Sequence, residues 1–189
     1  MPVPEKPITG DFGTLTELFD VVVEQAGEVE AFVDGDRRLT FALWARAADG
    51  VATRLASKGV GPGDIVGIRL PSSIDYAIAY QAAIRLGAIT SGMNPRLGVA
   101  ETAHILDKST PTVVVTDDDL AGVTRLTLAE LAEATGDAPF TDRPAAVDTD
   151  PVAIVWTSGT TGKPKGAVFD HACMRAMAAA AGPLSRVGD

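Results

Sequence analysis

The chain has 189 residues, 46% apolar but only 5% aromatic, and a formal net charge of −9. That charge argues against a nucleic-acid-binding module, no apolar run reaches the roughly 18 residues of a membrane helix, and the N-terminus lacks the basic-then-apolar pattern of a signal peptide. The single cysteine, Cys173, excludes an internal disulfide, so a soluble cytoplasmic protein with a core of Ala, Val, Leu and Ile is expected.

Residues 1–10 are Pro-rich and are expected to form a flexible N-terminus. From Thr14, the apolar residues Leu15, Leu18, Phe19, Val22 and Val23 recur at helical spacing, ending near Gly27. Ala31-Phe32-Val33 and Arg38-Leu39-Thr40 flank Asp34-Gly35-Asp36, a hairpin signal. Thr40 caps a second helix from Phe41 to about Ser57, with Gly59 as its stop and Trp44 on its apolar face. A strand, Ile65–Ile68, follows the Gly59–Asp64 turn. Pro71-Ser72-Ser73 then opens a helix from Ile74 to Leu86, stopped by Gly87. Ala88-Ile89-Thr90 reads as a strand, Met93-Asn94-Pro95-Arg96 as a turn, Ala100–Asp107 as a helix and Thr112–Thr116 as a strand. Strands and helices alternating at these spacings imply right-handed crossovers and an α/β fold, a mostly parallel sheet covered by helices. A short helix is expected from Leu126 to Ala134.

Residues 11–135 therefore read as a first α/β subdomain, and 136–150, with Pro139 and Pro144, as a linker loop. Residues 151–189 read as the start of a second subdomain. Val152–Thr157 has the apolar, β-branched character of a buried strand, and Ala167-Val168-Phe169 looks like a second short one. Asp170 caps a last helix from His171 to about Ala181, stopped by Gly182-Pro183. That helix is nearly all Ala and Met, so burial on most faces is expected.

Between those two strands lies Ser158-Gly159-Thr160-Thr161-Gly162-Lys163-Pro164-Lys165-Gly166, with three glycines, three hydroxyls, two lysines and no acid. Backbone N–H groups freed by glycine, hydroxyl donors and ammonium groups suit a polyphosphate. Charge distribution supports that reading over a plain solvated turn. Residues 151–189 hold four basic side chains against two acidic ones, a balance of +2, which leaves −11 for the remaining 150. The loop is not a Walker A motif, which has four residues between its glycines and a hydroxyl residue after the lysine. Here two residues separate Gly159 and Gly162, and Pro164, which has no N–H to donate, follows Lys163.

With Trp156-Thr157 in front, this stretch closely resembles the phosphate-binding core motif of the adenylate-forming enzymes: acyl-CoA synthetases, firefly luciferases and peptide-synthetase adenylation domains. Leu39-Thr40-Phe41, the Gly59–Asp64 turn, Pro71–Tyr76, Leu86-Gly87-Ala88, Asn94-Pro95-Arg96 and Val114-Val115-Thr116 fall in that family's order, so the resemblance covers about residues 12–181. It implies the N-terminal, incomplete part of such an enzyme. The Thr160-Thr161 pair and the Met93-Asn94-Pro95 turn look more like acyl-CoA synthetases than peptide-synthetase domains, so the resemblance implies a fatty-acyl-CoA ligase with CoA as co-substrate; a carrier-protein thiol as acceptor, and part of a peptide-synthetase-type adenylation domain, stay open as alternatives. By resemblance, Thr157, Ser158, Gly159, Thr160, Thr161 and Gly162 would wrap the β- and γ-phosphates of ATP. Lys163 and Lys165 would supply positive charge as pyrophosphate leaves.

The family's Mg2+-ligating glutamate, adenine pocket, ribose-binding aspartate, hinge and catalytic lysine fall after residue 189, so no catalytic set is complete and the chain alone is expected to be inactive. A chain of this extent would also leave strand edges and an apolar helix uncovered, a basis for self-association or for a non-catalytic assembly module. Other singletons have plain readings. His171 reads as the first turn of a capped helix, His104 as a surface residue, Cys173 as packing, and Asp117-Asp118-Asp119 as a solvated turn rather than a metal site.

Overall fold

The computed structural model describes residues 12–157 and 163–181. Residues 1–10, the loop positions 158–162 and the Gly182-Pro183 stop lie outside the described residues. Helix α1 (Leu15–Ala26) leads into a hairpin of β1 (Glu30–Asp34) and β2 (Arg37–Thr40), then α2 (Phe41–Ser57). Next come β3 (Ile65–Ile68), α3 (Ile74–Arg85), β4 (Ile89–Gly92), α4 (Val99–Ser109), β5 (Val113–Val115), β6 (Arg125–Leu126) and α5 (Leu128–Ala134). The chain continues through β7 (Pro151–Thr157), β8 (Lys165–Asp170) and α6 (His171–Ala181).

Local chemistry accounts for the helix starts. The hydroxyls of Thr14, Thr40, Ser73 and Thr127 accept the backbone N–H of Glu17, Leu43, Tyr76 and Glu130, so each satisfies a donor that has no partner inside its helix. Glu130 reaches back to the Thr127 N–H, and that bond, with help from Lys58, draws its carboxyl down to a pKa of about 2.

A six-stranded sheet has the order β6-β5-β3-β4-β7-β8, with all neighbours parallel except the antiparallel pair β7–β8. The expected boundary at 136–150 does not interrupt this sheet, because β7 pairs with β4 through Thr90↔Ala153 and Ser91↔Ile154. Successive residues of a strand face opposite ways. Val113 and Val115 accordingly join the main core with α2, α3 and α5, while Val114 joins Ile105 of α4 and Met93 in a second cluster. Helices thus cover both faces, as the parallel strands require.

Four sequence expectations change. β6 occupies part of what was read as one helix from Leu126, which starts only at Leu128. Strand β8 begins at Lys165 rather than Ala167, because the cross-strand partner Thr157 carries the ladder to the loop's edge. Beyond Met174 and Arg175, the described side chains of α6 are mostly exposed, Met177 by 53%, and Cys173 is exposed rather than packed. An all-round apolar pattern predicts what a helix could bury, and only neighbours decide what it does bury.

Helix α2 crosses α5 at Gly50, where a Cβ would lie 2.2 Å from the carbonyl oxygen of Ala134. On an open helix face, glycine to alanine gains about 0.8–1.0 kcal/mol of helix propensity. Here the clash is with backbone, so overpacking outweighs that gain. Gly50→Ala is expected to destabilise the chain by about 1–3 kcal/mol in urea unfolding. A gain in stability would show that α5 is free to move aside.

Candidate functional site

Of the phosphate-loop candidates, the β7–β8 hairpin carries Thr157, Lys163 and Lys165 at one end of the sheet. Its last pair, Thr157↔Lys165, sets these two residues directly opposite each other. Lys163 and Lys165 are exposed, and neither enters an ion pair among the described residues, while Pro164 between them is buried. Among the described residues, therefore, neither ammonium group has a carboxylate partner. Thr157 is exposed, and its Oγ1 donates a long 3.4 Å contact to the Lys165 carbonyl. Ser158, Gly159, Thr160, Thr161 and Gly162 lie outside the described residues.

The stem of the hairpin is built around Trp156. Its indole Nε1 donates to Ser91 Oγ at 2.9 Å, and Ser91 is fully buried on β4. Across the ladder stands Gly166, where a Cβ would come within 3.2 Å of the Trp156 ring and 2.9 Å of Ile154 Cγ2. Only glycine lets the ring lie against β8 there. Trp156 also packs on the cluster of Met93, Ile105 and Val114, so the stem is tied to the α4 side of the sheet. Beside it opens a cavity of about 730 Å³ lined by Tyr76, Asn94, Arg96, Ile154 and Trp156. Asn94 Oδ1 accepts the Arg96 N–H and so shapes the turn that puts Arg96 on this rim.

Two contributors carry no signal in the sequence, Ser91, which holds Trp156 and with it the stem, and His104. His104 Nε2 lies 3.1 Å from the Pro164 carbonyl oxygen, in a partly buried setting rather than on the open surface. A lone histidine 60 positions from its partner carries no spacing signal that could have found it. The Asp117–Asp119 run behaves as expected of a solvated turn. Asp117 accepts the Leu128 N–H, Asp118 pairs with Arg69 and Asp119 with Arg125.

His171 opens α6, as expected, but it is buried and reaches α1: its Nδ1 accepts the Leu15 N–H at 3.1 Å. Arg175, one turn on, donates to the Phe12 carbonyl. These two bonds dock α6 against the start of α1.

The described fold is a six-stranded, mostly parallel α/β sheet that ends in a cationic hairpin. The chain belongs to the AMP-binding enzyme family, whose model matches residues 19–187. It is 35% identical over 153 residues to a 4-chlorobenzoate–CoA ligase of Arthrobacter, covering 73% of this chain and 29% of that protein. It is 29% identical over 168 residues to a probable non-canonical nonribosomal peptide synthetase, CymA, of Salinispora arenicola, covering 85% of this chain and 2% of that one. Among solved structures, the N-terminal subdomain of Klebsiella oxytoca NpsA in complex with 3-hydroxybenzoyl-AMSN superposes with a TM-score of 0.78. That match is at 23% identity and covers 85% of this chain and 41% of the other. The chain thus spans under a third of the length of these curated relatives.

Burial, the largest effect, holds the His171 pKa below its ordinary value near 6.5, outweighing the opposite pull of Asp150, Asp170 and Glu17, while Arg175 adds to the lowering. Protonation would also turn the Nδ1 acceptor into a donor facing the Leu15 N–H. A folded-state pKa below the unfolded one means the unfolded chain binds the proton first, so this stability is complete above about pH 6.5 and is lost as pH falls through the depressed folded value. The melting temperature should therefore drop on acidification below about pH 6.5, and less steeply in His171→Asn, whose amide oxygen can still accept. Equal pH slopes in both proteins would show that His171 does not control this docking.

Proposed function

We propose that this chain is the N-terminal portion of an ATP-dependent carboxylate–CoA ligase, with a fatty acid as the carboxylate, and that Thr157 to Lys165 grip the polyphosphate. The observation that carries this reading is the Thr157↔Lys165 register at the edge of a glycine- and hydroxyl-rich stretch, with Lys163 and Lys165 exposed and, among the described residues, in no ion pair. In the proposed first step, a carboxylate oxygen attacks the α-phosphorus of ATP, the bond to the β-phosphate bridging oxygen breaks, and pyrophosphate leaves with that electron pair. In the second, the sulfur of CoA attacks the acyl carbon and AMP departs. Lys163 and Lys165 would counter the charge that builds on the leaving pyrophosphate, a role in which fixed positive groups act by electrostatic stabilisation.

Mg2+ bound with ATP would supply further neutralisation, and no group of three or more His, Cys, Asp or Glu side chains converges to hold it among the described residues. The Asn94-Pro95 turn and the Thr160-Thr161 pair support CoA as acceptor over a carrier-protein thiol. The similarity to CymA over 85% of the chain supports the second reading, a peptide-synthetase-type adenylation domain. The name of the Arthrobacter relative makes an aryl acid the rival to a fatty acid. The exposed Val155 and Val168 of the hairpin and Met177 of α6 are consistent with self-association.

The chain by itself is expected to give no carboxylate-dependent ATP–pyrophosphate exchange, and robust exchange would refute its reading as a portion of the catalyst. In a protein continuing through the rest of the family's length, Lys165→Ala or Thr161→Ala should slow adenylate formation about 100-fold without lowering the melting temperature. Unchanged pyrophosphate release in both variants would remove the phosphate role. A panel of fatty and aryl acids, with CoA or a carrier protein as acceptor, separates the finer readings.

A further inference from the structure

Pro164 is buried between two exposed lysines, has no N–H, and turns its carbonyl oxygen toward α4. There His104 Nε2 meets it at 3.1 Å. A carbonyl only accepts, so in this bond Nε2 carries a proton and donates it. The bond fixes the plane of the peptide between Pro164 and Lys165, and with proline's locked φ it sets how the chain leaves both lysines. Among the described residues, the other side-chain bond to the 163–165 backbone is the 3.4 Å contact from Thr157, beyond the usual range for a firm hydrogen bond. The platform under His104 is rigid: Ile105 is fully buried in the Met93–Val114 cluster, and Ser109 Oγ donates to the Ile105 carbonyl. That same cluster carries Trp156, so both arms of the hairpin refer to one body, the β7 arm through Trp156 and the β8 arm through His104.

We propose that His104 is a positioning residue that holds the Pro164 carbonyl and thereby aims Lys163 and Lys165 at a polyphosphate. The proposal rests on the phosphate-grip reading above. The part proposed for His104 is that of a support and not of a proton carrier. Its role is geometric, as side chains that lock a binding loop from a rigid element are.

The test uses the 189-residue chain, inorganic pyrophosphate as the probe, and phosphorus NMR titration, which registers weak binding. His104→Gln keeps an N–H donor near the Nε2 position, whereas His104→Leu has similar bulk and none. Loss of one hydrogen bond predicts about fivefold weaker pyrophosphate binding in His104→Leu, faster exchange of the Lys165 amide and an unchanged melting temperature. His104→Gln should bind within about twofold of the unaltered chain. Only His104 and His171 contribute imidazole signals, so nitrogen NMR reads the His104 tautomer directly. Equal pyrophosphate binding by His104→Leu, alongside weakened binding by Lys165→Ala, would overturn the positioning role and leave the phosphate grip standing. Parallel loss of binding and melting temperature in both His104 variants would mark a merely structural role and also overturn it. No binding by the unaltered chain would bring down the phosphate grip itself, and the proposal with it.

Discussion

The pairing of β7 with β4 is the contact on which the rest of the site depends. Two residue pairs, Thr90↔Ala153 and Ser91↔Ile154, with the Thr90 hydroxyl donating to the Val152 carbonyl, attach the C-terminal hairpin to a sheet built by the first half of the chain. Without that attachment, the hairpin would be a two-stranded ribbon, which is at best marginally stable in water. With it, Trp156 reaches Ser91, His104 reaches Pro164, and the lysines stand at a defined edge.

The connecting segment, residues 136–150, is held by charge as well as by the packing of Phe140 against the main core. Arg85 is almost wholly buried, pairs with Asp20 of α1 and Asp49 of α2, and lies 5.4 Å from the Phe19 ring centroid. Arg143, from the connecting segment, contacts the same two aspartates. Burial pushes the Asp49 pKa up and the Arg85 pKa down, the signature of ions that cost desolvation to place. Such a cluster adds little net stability over an apolar core, yet removing one member leaves a buried charge without its partner. It can therefore specify where the connecting chain runs without enlarging the core.

Much of the architecture was legible because its signals are local. A hydroxyl at four of the six helix starts among the described residues, β-branched strands and helices of regular length point to elements within a few residues of those observed. The two-residue strand β6 was not legible, since Arg125-Leu126 has no periodicity of its own and pairs only because β5 lies beside it. Lys165 was read as loop because its strand character comes from Thr157 across the ladder. His104 looked like a surface residue because its partner is distant in sequence and is a backbone carbonyl, a group every residue carries.

The sequence by itself determined the chemistry available to this protein: an acid-free loop of glycines, hydroxyls and two lysines, flanked by strand-forming runs in an otherwise acidic chain. Those properties depend on residue type and short spacing, which folding does not alter. Only the tertiary structure decided which groups serve that loop. Trp156 could face β8 only because Gly166 lies opposite, and His104 could hold Pro164 only because α4 and the hairpin share one face of the sheet. These are contacts between residues far apart in the chain, and their geometry exists only once the sheet has closed around its core.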